Sequence, residues 1–349
     1  GMFRQLGIFS QVGQLYEPED REQLMFYKED KHGQILQEGI NEPGAWSSWI
    51  AASTSYANHG VAMIPFYMYY SMFGFQRCGD LAWASGDSRA RGFLMGGTAG
   101  RTTLNGEGLQ HEDGHSHVQA SLIPNCVAYD PAYGYELAVI IHDGLRRMFA
   151  EQEDVFYYLT MMNENYVQPP LPEGAEGGIL RGMHRIAGDG DGTVRLLGSG
   201  TILREVLAGA DLLRDDFGVQ SDVWSVTSFT ELRRDGLAVE RDNRLHPTRE
   251  PRPAYVNECL PGEAPVVAAT DYIRTLPDMI RPWVSAPYTV LGTDGFGRSD
   301  WRWALRRFFE VDRHHVCVAA LHALGRNEDA AAAIAKYEIE TDAAAPWQR

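Results

Sequence analysis

Short apolar runs alternate with amphipathic segments along most of the chain. Residues 61–70, 93–97, 127–129 and 155–162 read as strands, apolar or aromatic runs bounded by Gly, Pro or Asp. Between them the spacing predicts helices. One follows Glu42, with Pro43 in the first helical position and His59-Gly60 ending it after Asn58. Another starts at Ser71. A third spans 132–151, where Leu137, Ile140, Ile141, Leu145 and Met148 fall on one stripe. Upstream, Tyr16-Glu17-Pro18-Glu19-Asp20 predicts a short helix opened by its Pro and early acids.

The alternation repeats further on. Strands are expected at 194–197, 223–226, 266–269 and 289–291, and helices from Gly200 to about Phe217, near 272–284, at 300–310 and at 328–337. Strand–helix alternation of this kind argues an α/β protein with mainly parallel sheets covered by helices. The segment from Gln168 to Gly178, rich in Pro and Gly, is the clearest linker. It divides the chain into two α/β domains, 1–172 and 173–349.

One stretch stands apart. Between Glu42 and Arg77 there is no Asp, Glu, Lys or Arg, although these make up 22% of the chain. Such a segment is expected to be buried on several sides, since charges are seldom buried unpaired. It contains the aromatic cluster Phe66-Tyr67-Met68-Tyr69-Tyr70-Ser71-Met72-Phe73 and leads towards His111-Glu112-Asp113-Gly114-His115-Ser116-His117. A carboxylate at its mouth and imidazoles beyond it would compose a cofactor pocket. A core helix and strand flanked by surface charges explains the same composition.

Net charge narrows the partners. At −16, with a pI of about 5.1, the surface repels phosphate backbones, so nucleic acid is not an expected partner. The four cysteines, at 78, 126, 259 and 317, have no metal-ligand or redox spacing, which points to reduced thiols and a cytoplasmic setting. No signal-peptide pattern follows Met2. The uncharged stretch is interrupted by Ser, Thr, Asn, Gly and Pro, so it reads as protein interior rather than a membrane span.

Several motifs carry candidate chemistry. His111-Glu112-Asp113-Gly114-His115 matches the spacing of a zinc-protease helix, but three glycines between residues 106 and 114 oppose a helix there. A polar loop aiming imidazoles at a ligand is expected, with no metal. Gly188-Asp189-Gly190-Asp191-Gly192 is similar to the start of a metal–diphosphate site. It lacks a good strand before it and an Asn after it, so a hairpin turn is expected. Gly198-Ser199-Gly200 ahead of a helix could bind an anion or simply turn the chain. The loop Thr293-Asp294-Gly295-Phe296-Gly297-Arg298-Ser299 is denser in Gly and Asp than a turn requires, with no role derivable from its residues. Glu42 has two readings. It can favour a helix dipole, or, against aromatics, hydrogen-bond a heterocycle.

Taken together, these segments resemble the decarboxylase component of the pyruvate dehydrogenase complex in its homodimeric bacterial form. The resemblance rests on Gly33-Gln34-Ile35-Leu36-Gln37-Glu38-Gly39-Ile40-Asn41-Glu42, on 64–77, on 97–117, on Tyr129-Asp130-Pro131-Ala132-Tyr133 and on 291–299. It implies a thiamine diphosphate enzyme of the transketolase-like superfamily. A pyrimidine-binding domain would come first, then a transketolase C-terminal-like domain. Glu42 would hydrogen-bond the aminopyrimidine, and Tyr70 and Phe73 would stack on it. His111 would reach the substrate side, and His117 falls where the wider group places another active-site histidine.

The resemblance further implies decarboxylation of pyruvate, transfer of the acetyl unit to the lipoyl acyltransferase of a complex, and a homodimer. The family's diphosphate- and Mg2+-binding domain is not recognisable in these residues. A separate diphosphate-binding chain is therefore expected to complete the site. The competing expectation is a non-catalytic relative that binds or assembles partners. Pro43 departs from the family's usual aliphatic residue.

Overall fold

The computed structural model describes residues 2–19, 21–23 and 27–349, without the side chains of Met2 and Phe3. A short helix, α1 (Met2–Leu6), precedes a two-strand parallel pair, β1 (Ile8–Phe9) and β2 (Glu29–Asp30). The helix expected at 16–20 is a bend and turn in its described residues; Asp20 lies outside them.

The first sheet holds β3 (Phe66–Tyr70), β4 (Phe93–Gly97), β5 (Cys126–Tyr129) and β6 (Phe156–Thr160), all parallel, in the order β3-β4-β6-β5. Helices α2 (Glu42–Ser53), α3 (Ser55–His59), α4 (Phe75–Asp87), α5 (Ser116–Ala120) and α6 (Gly134–Leu145) connect and cover it. The helix expected to run unbroken to Asn58 divides at Thr54, and Gly60 caps its second part in a left-handed conformation. The strand expected from Val61 begins only at Phe66.

The second sheet holds β7 (Met183–Ala187), β8 (Val194–Gly198), β9 (Ser221–Val226), β10 (Val266–Ala269) and β11 (Tyr288–Leu291), in the order β11-β10-β8-β9-β7. All neighbours are parallel except β7, which pairs antiparallel with β9. Its helices are α7 (Glu176–Arg181), α8 (Leu203–Phe217), α9 (Phe229–Leu245), α10 (Tyr255–Cys259), α11 (Thr275–Asp278), α12 (Arg302–Phe308), α13 (Arg313–Ala323) and α14 (Asn327–Lys336). Strand β7 corrects the reading of 183–187 as a poor strand. It also means that Gly188–Gly192 is not a hairpin, because β7 and β8 are not neighbours. That loop instead wraps the start of β9, and Asp222 accepts from the Gly190 and Gly192 N–H groups.

The uncharged stretch is only half interior. Trp46, Trp49, Tyr69 and Phe75 are buried in one cluster, and Trp46 Nε1 donates to Ser85 Oγ at 3.0 Å. Gly74 is required here, because a Cβ would lie 2.0 Å from the Tyr69 ring. Phe66, Met68 and Tyr70, at alternate positions of edge strand β3, are 47%, 51% and 45% exposed. Alternate residues of a strand share one face of the sheet, and at β3 that face is left uncovered, so freedom from charge does not force burial there.

The two sheets meet through buried polar bonds. Asp271, just past β10, accepts from N and Oγ of both Thr102 and Thr103 at 2.6–3.1 Å. Glu136, fully buried in the first turn of α6, bonds His184 at 2.8 Å and Ser225 at 2.6 Å. No helix among the described residues is long and apolar enough to cross a membrane.

Candidate functional site

Asn41 caps α2, its Oδ1 accepting from Gly44 N at 3.2 Å, which sets Glu42 in the first turn where the helix dipole favours an acid. The Glu42 side chain is 15% exposed, and Oε1 lies 3.1 Å from Arg77 Nη1 of α4. Arg77 does two things at once. Its guanidinium also sits over the Phe73 ring, 3.9 Å from the centroid.

Phe73 ends the short 3-10 turn Ser71–Phe73 that follows β3. Its ring meets His111 edge to face at 5.1 Å, and Tyr70 stacks on the same imidazole at 5.3 Å. Glu42, Arg77, Phe73, His111 and Tyr70 therefore form one continuous group on an open face. His111 Nδ1 lies 3.5 Å from Glu107 Oε2, close enough for an ion pair but without hydrogen-bond geometry, so this buried nitrogen has no hydrogen-bond partner.

The His-rich segment is a 3-10 turn, Leu109–His111, followed by a loop, and His115 turns instead to Gln76 at 2.9 Å. Arg101 ties this loop to the one at 293–299, its Nε donating to the Glu112 carbonyl at 3.5 Å and its Nη1 to the Thr293 and Gly295 carbonyls at 2.5 Å each. Gly114 makes room for this guanidinium, which a Cβ would approach to 2.4 Å. Glu112 Oε2 accepts from Arg298 N at 2.6 Å, and Gly114 O from Ile273 N at 2.8 Å. The Gly- and Asp-rich loop at 293–299 thus acquires a role: it holds the loop carrying His111. Burial pushes the Glu112 carboxyl up to about 8, against the opposing Arg298 N–H.

His117 does not join the open group. It is 2% exposed, with Nε2 3.1 Å from Thr160 Oγ1 and its ring 4.9 Å from Tyr272. Thr160 in turn donates to Asp130 Oδ1 at 2.7 Å. Burial pulls His117 down to about 4, with the Asp113 charge working the other way, and pushes Asp130 up to about 7. Asp130 also occupies the start of the helical segment after Gly198-Ser199-Gly200. Its carbonyl accepts from Gly200 N at 3.2 Å, and a Gly200 Cβ would meet its carboxylate at 2.8 Å. The turn is filled from within the protein.

A flat nitrogen heterocycle fits the open group. It would need one hydrogen-bonding acid and one aromatic face held in fixed relation. The planar Arg77 guanidinium uses that pair in this structure, bonded to Glu42 and stacked on Phe73. A diphosphate–metal cage is a different matter. Among the described residues no three His, Cys, Asp or Glu side chains cluster to hold a cation.

Arg77 and Arg101 were not singled out in the sequence. The first carries a faint signal, as the charge that ends the uncharged run. The second has none, because its partners lie 192 and 194 residues away.

Residues 1–169 match the model of the pyruvate dehydrogenase E1 component middle domain, and 182–312 that of the transketolase-like C-terminal domain. The chain is 66% identical over 352 residues to the pyruvate dehydrogenase E1 component of Pseudomonas aeruginosa, covering 98% of this chain and 40% of that protein. Against the Escherichia coli K12 counterpart the identity is 59% over 355 residues, covering 99% and 40%. The chain thus spans about 40% of the length of these curated relatives. Among solved structures, transketolase from Leishmania mexicana superposes with a TM-score of 0.65 at 16% identity, over 85% of this chain and 38% of that one. A split gene transketolase, described as an inactive beta4 tetramer, gives 0.59 at 14% identity over 91% of both chains. At such identities these two speak for the fold alone.

Proposed function

The chain belongs to the pyruvate dehydrogenase E1 component family, and from that premise we propose that it supplies the pyrimidine side of a thiamine diphosphate site in a 2-oxo acid dehydrogenase. Residues 1–172 form the pyrimidine-binding domain and 173–349 the C-terminal domain. The observation that carries the reading is the Arg77 guanidinium, a flat nitrogen-rich group bonded to Glu42 and stacked on Phe73.

When bound, thiamine diphosphate supplies a carbon nucleophile for the ketone of a 2-oxo acid and an electron sink for the carbon–carbon bond that breaks. The protein's part is binding, orientation and proton handling. Glu42 would hydrogen-bond a ring nitrogen of the aminopyrimidine and would favour its imino form. Phe73 and Tyr70 offer their ring faces, and Arg77 swings outward to make room; half its surface is already in solvent. His111, held between Tyr70 and Phe73 with Nδ1 unbonded, moves a proton on the substrate side. The sequence-based assignment of His117 to the same task is replaced by a positioning role. As a buried neutral imidazole it ties α5 to Thr160 and Tyr272.

The diphosphate and Mg2+ are held by polypeptide outside these residues, such as a separate diphosphate-binding chain. A second copy of this chain covers Phe66, Met68 and Tyr70, an exposed apolar row of the kind that marks a protein interface. The substrate is pyruvate, and the acetyl unit passes to a lipoyl acyltransferase. Reduced thiols and an acidic surface suit the cytoplasm. The test is carbon dioxide release from labelled pyruvate with the diphosphate-binding polypeptide present. Activity should be lost in Glu42→Gln, and retention of full activity would remove the acid from the mechanism.

A further inference from the structure

A cavity of about 590 Å3 opens beside the antiparallel edge of the second sheet and shares no residue with the Glu42–His111 group. Strand register builds part of its wall. Arg195 of β8 is the cross-strand partner of Asp222 on β9, and Trp224, two residues on, is the partner of Arg185 on β7. Opposed partners, and residues two apart on a strand, project from the same face, so these four side chains converge.

Two residues lining this cavity each carry a buried N–H donor that lacks an acceptor. Arg195 is only 8% exposed, and its Nη1 is buried with no hydrogen-bond partner among the described residues. Trp224 Nε1 is likewise buried and unpartnered. The acids nearby are engaged elsewhere. Asp222 accepts from Gly190 N at 2.8 Å and Gly192 N at 3.2 Å, and Glu258 pairs with Arg181 at 3.2 Å. Glu173 lines the cavity from the exposed linker. An N–H donor taken out of water with no acceptor is unfavourable, and the forked donors of a guanidinium match a carboxylate or phosphate in geometry.

We propose that this cavity is a binding site for a small oxyanion, the carboxylate or phosphate of a metabolite-sized molecule, held by Arg195 with Trp224 Nε1 donating a further bond. Arg185, exposed at the lining, adds positive charge. The volume falls within the range of small-molecule sites and exceeds what a bare ion needs. The site lies in the domain that the proposed pyrimidine-side chemistry does not use, so it stands or falls independently of that reading.

The experiment is calorimetric titration of the purified protein, in its native assembled state and at low ionic strength, with inorganic phosphate, phenyl phosphate and benzoate. The last two separate a phosphate preference from a carboxylate preference. Saturable binding of at least one probe, at one per chain, is expected, weakened at least tenfold in Arg195→Met. That probe should raise the Tm of the parent protein and not of the variant. Without the probe, Arg195→Met should melt at the same temperature or higher, since a buried N–H donor without an acceptor has been removed. Absence of saturable binding by all three probes, or an equal thermal shift in Arg195→Met, overturns the proposal. Should Arg195→Met fail to fold, Trp224→Phe, which removes only the N–H donor at this edge, should bind about threefold to tenfold more weakly. Unchanged affinity in that variant also overturns it.

Discussion

Arg77 Nη1 lies 3.1 Å from Glu42 Oε1, across 35 residues of sequence, while the same guanidinium covers Phe73 at 3.9 Å. Glu42 and Phe73 thus face one shared space, and a side chain already fills it with a flat, hydrogen-bonding group. In the proposed function Arg77 is a competitor of the pyrimidine ring.

Removing that competitor should tighten cofactor binding. An ion pair whose arginine is half in solvent, together with its cation–π contact, is worth about 1 kcal/mol once solvent screening is allowed for. Arg77→Met should therefore lower the Kd for thiamine diphosphate about fivefold, measured by calorimetry on the assembled enzyme. Weaker binding in that variant would mean Arg77 assists the cofactor rather than competing with it.

Glu112 gives a pH signature. Burial lifts its carboxyl from 4.5 to about 8 in the folded protein. Between those values the folded state holds a proton that the unfolded state has released, so stability falls as pH rises through that window. Glu112→Gln keeps the acceptor for Arg298 N and removes the charge. It should raise Tm at pH 8 by a few degrees, about 1–3 kcal/mol, and flatten the decline from pH 5 to pH 8. Scanning calorimetry of the two proteins at both pH values is the check, and an unchanged slope would contradict the assignment.

His117 acts in the opposite sense. Its pKa falls from 6.5 to about 4 on folding, so stability is lost as pH drops through that interval. The imidazole signal of His117, assigned by its loss in His117→Asn, should show no titration between pH 5.5 and 8 in NMR. A midpoint near 6.5 would place His117 in contact with solvent and return it to the open group.

How far the sequence foretold this arrangement depended on whether local pattern or distant contact decides each piece. Strands β4 and β10 were legible because fully buried parallel strands are short unbroken apolar runs between turn residues. Helix α9 escaped notice: its buried positions, Phe229, Leu232, Gly236 and Val239, include a glycine and sit among many charges. Helix α13 buries Val316, Cys317, Ala320 and Leu321 in an apolar run that itself gives little periodicity. In the site, Glu42, Tyr70, Phe73 and His111 were named through a resemblance and are found together. His117 was named by the same route and is found in the inter-sheet network. The Arg101 and Asp271 contacts join residues more than 160 positions apart, and no local pattern encodes such pairs.

The exposed apolar row on β3 predicts self-association. Met68→Glu places a charge among Phe66, Met68 and Tyr70 without touching the core, since Met68 is 51% exposed. The parent protein should scatter light as a dimer or larger species at micromolar concentration, and Met68→Glu should weaken that association at least tenfold. A parent protein that scatters as a monomer of 39.0 kDa would contradict the assignment.

The most direct measurement is the rate of carbon dioxide release from labelled pyruvate, with thiamine diphosphate, Mg2+, the diphosphate-binding polypeptide and a dye acceptor present, for the parent protein and for Glu42→Gln. The substitution keeps the shape of the side chain and removes the group proposed to favour the imino form, so the rate should fall at least 100-fold, about the least that positioned acid–base catalysis contributes. A Glu42→Gln enzyme that turns over at the parental rate would show that the carboxylate beside Arg77 and Phe73 is not the one that acts on the cofactor.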